Sequence, residues 1–273
     1  MKRYDESMYW LENDSWYRVN YEKNCIELTP EAPERAVESF QRYLVNNDLP
    51  VVDRQAMAST YKAQVAEYGM PISEEQYQDL REYANDRSIR LSGFRSFVGD
   101  TSVIKTVIDD INEIGNDFPV ILDERIGVVL EFDYGMKDDD FATTDSGHVI
   151  HLNAFYFSDI DKLKEAYNTG VSEGDFVAKT DWRAVARHEA GHVVANNYRL
   201  DPMSIMMELL DMSSKAALFY RLEKELSIYS AAYNDGREII SECFSGYYSK
   251  VGNGIADAFV QRCIDIGKAG ESL

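Results

Sequence analysis

Through most of the chain, hydrophobic positions recur at intervals of three and four residues, the period of an amphipathic helix. Ala36, Phe40, Tyr43 and Leu44 form one such stripe behind Thr29-Pro30, which predicts a helix over about 29–45. A second is expected over 53–68. Ser73-Glu-Glu-Gln76 is a capping box and opens a third, ending near Ala84. Ile104, Val107, Ile108, Ile111 and Ile114 mark another, with Thr101 or Ser102 as its cap. Further helices are expected over 159–168, 182–197, 202–210, from Ser213 or Ser214 to about 225, and over 237–251 and 255–267. Period-two runs are fewer. Trp16 to Tyr21 and Cys25 to Leu28 read as a short hairpin, and 120–123, 125–132 and 147–153 as strands. This is an α+β pattern, mainly helical with a small sheet. The arginine-rich stretch 86–101 divides a mostly helical region, residues 1–85, from a second domain, residues 86–273.

Composition narrows the partners. The formal net charge is −20, which argues against nucleic acid and against anionic membrane surfaces, and permits a basic peptide substrate. The arginines of 86–101 are expected to pair with nearby carboxylates. Three cysteines, Cys25, Cys243 and Cys263, form no C-x-x-C and no disulfide framework, which points to a reducing compartment. Met1-Lys2-Arg3 is followed by Tyr4-Asp5-Glu6 without an apolar run, so no signal peptide and a cytoplasmic site of synthesis are expected. Export without a signal peptide stays open.

The chemistry concentrates in 182–197, where His188-Glu189-Ala190-Gly191-His192 reads H-E-x-x-H. Residues four apart on a helix lie on one side, so both imidazoles can reach one ion. Zinc accepts neutral imidazole nitrogen at about 2.0–2.1 Å and is content with four ligands. Glu189 is then placed to take a proton from a water at the metal. Val185, Ala186, Ala190, Val193 and Val194 surround the pair with small or apolar residues, unlike a solvated surface helix. Asp181 or Thr180 is expected to cap its start.

A catalytic site needs a third protein ligand. A metzincin would carry glycine and histidine where this chain has Ala195 and Tyr198, which excludes that class. The helix over 237–251, capped by Asn234 or Asp235, offers Glu238 and Glu242 on one face beside apolar Ile239, Ile240, Cys243 and Phe244. One carboxylate as ligand, Glu238, and the other as a partner fixing an imidazole tautomer is the expectation. His148 and His151 are three apart in a strand, face opposite sides, and are read as structural. Asp138-Asp-Asp140 lacks the EF-hand spacing and is read as a solvated loop. The methionine-rich segment 203–212 is read as packing.

H-E-A-G-H, then Ser227-Ile228-Tyr229, then E-x-x-S-E-x-F from Glu238 resembles the gluzincin peptidase domain carried by anthrax lethal factor and by proteins of tailed phages and prophages. The resemblance covers about 147–250. It implies a zincin-like metallopeptidase fold, one Zn2+ per chain held by His188, His192 and Glu238, Glu189 as general base, and a tyrosine that stabilises the transition state. By position that tyrosine is Tyr229, although it lies further from Glu238 than the family spacing, and Tyr233 competes. It also implies that the strand 147–153 is the sheet edge on which an extended substrate pairs. The alternative is a phage or prophage structural or interaction protein whose zinc site is stabilising or vestigial, with a partner in the phage particle. A toxin-like effector, its N-terminal region delivering the peptidase, is a third reading.

Overall fold

The computed structural model describes residues 9–10, 13–20, 25–29, 31–46, 68–123, 126–136, 140–145, 148–233 and 235–270. The chain divides into two compact units, Met1–Tyr77 with Ser92–Val98, and Gln78–Leu91 with Gly99–Leu273. Among the described residues it is mainly helical with a small sheet, an α+β architecture. No described helix is long and apolar enough to cross a membrane. The helix expected over 53–68 lies outside the described residues except for Tyr68.

In the first unit, strands β1 (Tyr17–Asn20) and β2 (Cys25–Leu28) form the expected antiparallel hairpin. Helix α1 spans Glu34–Asn46, starting later than the Thr29-Pro30 signal suggests. The reason is that Thr29 still belongs to the hairpin, its N–H donating to Trp16 O at 2.9 Å; Pro33 opens the helix instead. Trp10 and Phe40 meet edge to face at 4.9 Å and, with Leu28, Ala36 and Val37, form the core of this unit.

Helix α2 (Glu74–Asn85) begins with the capping box made in full. Ser73 N–H donates to Gln76 Oε1 at 2.9 Å, and Gln76 N–H to Ser73 Oγ at 3.2 Å. Two of the three arginines of 86–101 pair with carboxylates as expected, Arg87 with Asp109 at 2.8 Å and Arg95 with Glu74 at 3.1 Å, whereas Arg90 donates to the Gly127 carbonyl at 2.7 Å.

In the second unit, helix α3 (Thr101–Asp117) buries the isoleucine stripe. Its cap is Asp100, not Thr101 or Ser102: the carboxylate accepts from Ser102 N–H at 2.8 Å, and an ionised acceptor at a helix N-terminus outcompetes a hydroxyl. Residues 120–123 are not a strand. Pro119–Leu122 is a single 3-10 turn, because Pro119 starts a helical turn and Val128 N–H returns to Ile121 O at 2.8 Å, closing a tight loop.

The sheet contains β3 (Arg90–Ser92), β4 (Val129–Asp133), β5 (Ala142–Thr144) and β6 (Val149–Asn153) in the order β3-β4-β6-β5. Strand β6 runs parallel to β4 and antiparallel to β5. The strand expected at the edge is therefore interior among the described residues, and the two edges belong to β3 and β5. Leu130, Phe132, Ile150 and Leu152 are buried on one face of the sheet. Helices α4 (Ala154–Phe157) and α5 (Ile160–Glu173) follow, the latter capped by Asp159. Then come α6 (Ala184–Tyr198), α7 (Pro202–Leu209), α8 (Lys215–Glu225), α9 (Arg237–Tyr248) and α10 (Gly254–Gly270). Helix α6 starts after an Asx-type turn in which Asp181 Oδ1 accepts from Arg183 N–H at 3.0 Å, so the cap residue is Arg183 rather than Asp181 or Thr180. Helix α8 is capped by Ser214. Helix α9 is led in by Gly236 at φ 75°, a left-handed conformation, in place of an Asn234 or Asp235 cap. Cys243 and Cys263 are free and buried. Met203 and Met206 are buried packing residues of α7.

In the first unit Glu31 lies 3.9 Å from Arg95, and burial, opposed by Arg95, pushes its carboxyl up to about 7. The folded chain favours the proton, so this contribution to stability is complete below about pH 4.5 and is lost as pH rises through about 7. Glu31→Gln removes the loss. It should raise stability relative to wild type by about 1–3 kcal/mol at pH 8 and by little at pH 4.5, read from denaturant melts. An equal effect at both pH values would refute the assignment.

Candidate metal centre

Helices α6 and α9 run antiparallel, and side chains meet along them in a regular row. Ser245 Oγ donates to Ala184 O at 3.2 Å, His188 faces Glu242, and His192 faces Glu238. Steps of four residues up α6 are met by steps of three and then four down α9, the i, i+3 and i, i+4 spacings that share one helix face. The helices approach closely at Gly191, where an added Cβ would stand 3.0 Å from Ser241 Cα and 3.3 Å from Phe244 Cβ. The glycine of H-E-A-G-H thus has a packing reason independent of any chemistry.

Along this row His188, His192 and Glu238 each offer one ligand atom, all within 4.8 Å of one another. Glu238 Oε2 lies 3.1 Å from His188 Nε2 and 3.3 Å from His192 Nε2. Two ligands at about 2.0–2.1 Å from a tetrahedral ion stand about 3.3 Å apart, so these separations suit zinc. His188 Nδ1 lies 2.9 Å from Glu242 Oε1. A proton on Nδ1, donated to that carboxylate, leaves the Nε2 lone pair turned to Glu238. Glu238 Oε2 is buried without a hydrogen bond of good geometry, as is Glu242 Oε2. Two imidazole nitrogens converging on a buried carboxylate oxygen can be served by a metal cation or by protons on the rings.

The electrostatics agree. Burial lowers the proton affinity of His188, but the Glu238 and Glu242 carboxylates outweigh it and raise its pKa to about 10. Burial raises that of Glu238, but His188 and His192 outweigh it and hold the carboxyl at about 2. The cluster requires positive charge at its centre.

Glu189 is buried next to this cluster, and its Oε2 accepts from Thr144 Oγ1 at 2.7 Å. Thr144 ends β5, one of the two sheet edges among the described residues, so one hydroxyl ties that edge to the glutamate of H-E-x-x-H. Tyr229 packs its ring 5.7 Å from that of His188. Burial, followed by the Glu238 charge, pushes its phenol well above the ordinary value, so it carries its proton at neutral pH. Tyr233 is 44 % exposed, and Arg237 lies over its ring at 4.7 Å. Only Tyr229 of the two lines the adjoining cavity.

That cavity, of about 120 Å³, opens beside His188 and Glu189. Phe141, Ala142, Tyr167, Phe176 and Val185 form its apolar wall. Tyr167 and Phe176 stack at 4.9 Å, and the Tyr167 hydroxyl is held by Thr180 Oγ1 at 2.9 Å. His151 stands 3.6 Å from Asp133 in the sheet; neither it nor His148 belongs to the metal-capable group. Asp138 and Asp139 lie outside the described residues.

Comparisons with protein families, with curated proteins and with solved structures find no match to this chain.

Replacing Gly191 by alanine should force α6 and α9 apart by a few tenths of an ångström. We expect about 1–3 kcal/mol of lost stability in the metal-free protein and weaker zinc binding. Thermal melts and chelator competition measure the two; an alanine variant unchanged in both would contradict the close crossing.

Proposed function

We propose that the chain is a zinc-dependent peptidase of the gluzincin type. The observation that carries the reading is the meeting of two imidazole nitrogens and a buried, hydrogen-bond-orphaned carboxylate oxygen directly beside Glu189. His188, His192 and Glu238 hold one Zn2+. The ion, when bound, would lower the pKa of a water toward about 7 and polarise the carbonyl under attack.

The chain's own groups do the rest. Glu189 takes a proton from the attacking water as the new C–O bond forms, and passes it to the departing amine as the C–N bond breaks. Thr144 holds one Glu189 oxygen at 2.7 Å and leaves the other for the water. The protonated Tyr229 phenol donates to the oxyanion. Glu242 keeps His188 in the tautomer that leaves Nε2 free. The edge of β5 receives an extended peptide by backbone hydrogen bonds, and the aromatic-walled cavity receives an apolar side chain next to the scissile bond. The acidic surface favours basic residues elsewhere in the substrate.

Elemental analysis of purified wild type and of Glu238→Ala comes first. One zinc per chain, lost or strongly weakened in the variant, supports the triad; no metal after reconstitution removes the enzyme reading in favour of an interaction protein. Glu189→Gln should retain zinc and fold and lower kcat on a peptide library by about 10²-fold or more. Near-wild-type turnover in the zinc-loaded variant would exclude Glu189 as the base.

A further inference from the structure

Behind the ligand row lies a second buried cluster that the proposed chemistry does not use. Asp110 of α3 is 1 % exposed, and Arg187 of α6 is 5 % exposed. The Arg187 guanidinium donates through one terminal nitrogen to Asp110 Oδ1 at 2.8 Å and through the other to Ser249 Oγ at 2.8 Å. Arg183 Nε donates to Asp110 Oδ2 at 3.0 Å. Ser249 follows α9 and lies about three turns beyond Glu238 on the same helix face. Arg187 immediately precedes His188. One planar fork therefore ties α6 to α3 and to the far end of the helix that carries Glu238.

We propose that Asp110, Arg187 and Ser249 form a positioning clamp that fixes the register of the two ligand helices and so sets how tightly His188, His192 and Glu238 hold their ion. The inference rests on the metal reading above. Stability alone is a poor reason for the cluster. Taking these charges out of water offsets most of their attraction, and buried ion pairs replaced by apolar residues often leave proteins as stable or more so. Direction is what the apolar substitute lacks. Apolar side chains tolerate sliding along a helix, whereas a guanidinium fork reaching a carboxylate on one side and a hydroxyl on the other is satisfied in one register only.

The test separates packing from positioning. In Asp110→Leu/Arg187→Met the clamp is removed and its volume kept; Arg183, partly exposed, turns to solvent. In Arg187→Lys the charge stays but the fork is lost. Each is compared with wild type by melting of the metal-free protein, by zinc affinity in chelator competition, and by the visible spectrum of the cobalt-loaded protein, which reports ligand geometry. The expected result is melting near or above wild type in the double variant, with zinc affinity about tenfold weaker and a shifted cobalt spectrum in both variants. A folded variant that binds zinc within twofold of wild type with an unchanged cobalt spectrum overturns the clamp. If the double variant fails to fold, Arg187→Lys decides by the same two readouts. Wild type that binds no ion sinks the metal reading and this proposal together; wild type that binds beside unaltered variants sinks this proposal alone.

Discussion

Helix α6 lies against helix α9 so closely that the crossing leaves no room for a side chain at Gly191. The meeting of His188, His192 and Glu238 follows from that contact. Because both helices repeat at the same pitch and run in opposite directions, steps of four on α6 met by steps of three and four on α9 keep Ala184, His188 and His192 opposite Ser245, Glu242 and Glu238. The candidate ligand set is thus a property of one helix–helix distance, held by regular backbone on both sides. A site built this way is stiff, since moving a ligand means moving a helix packed on its neighbours.

The same contact gathers charge that would be costly without a counterpart. Glu189, Glu238 and Glu242 are buried within a short span, and a chain already strongly acidic adds no relief from outside. His188 holds its proton up to about 10 and Glu238 loses its own down to about 2 for the same reason: each answers the field of the other. Under the proposed function proton and ion are rivals for the same centre, and an ion held by three protein atoms would complete more of the unmet lone pairs than a proton can.

Much of this was legible because it is local. H-E-x-x-H, the isoleucine stripe of α3, the capping box of α2 and the pairing of Glu238 with Glu242 all lie within a few turns of one element. What was missed depends on distant partners or on brevity. Strand β5 is three residues, Ala-Thr-Thr, too short for alternation to register, so neither the sheet edge nor the Thr144 bond to Glu189 could be read. The placement of β6 inside the sheet follows from its parallel partner β4, a pairing that local pattern does not specify. Asp110 sits beside Asp109 and looks like a solvated face, yet it is buried because Arg183 and Arg187 come to it from another helix. One signal was present: Arg187 stands in a run of small apolar residues, and a long cation there needs a buried partner.

The cavity beside the candidate metal centre draws its aromatic wall from other parts of the chain than the proposed ligands, while Val185 on α6 completes the apolar lining. Phe141 and Ala142 come from β5 and the residue before it, Tyr167 from α5, and Phe176 from the turn after it, whereas the ligands come from α6 and α9. Under the proposed function, selectivity and reactivity are therefore separable inheritances. A lineage could exchange the aromatic wall and acquire a new cleavage preference while the helices that carry the chemistry stay as they are.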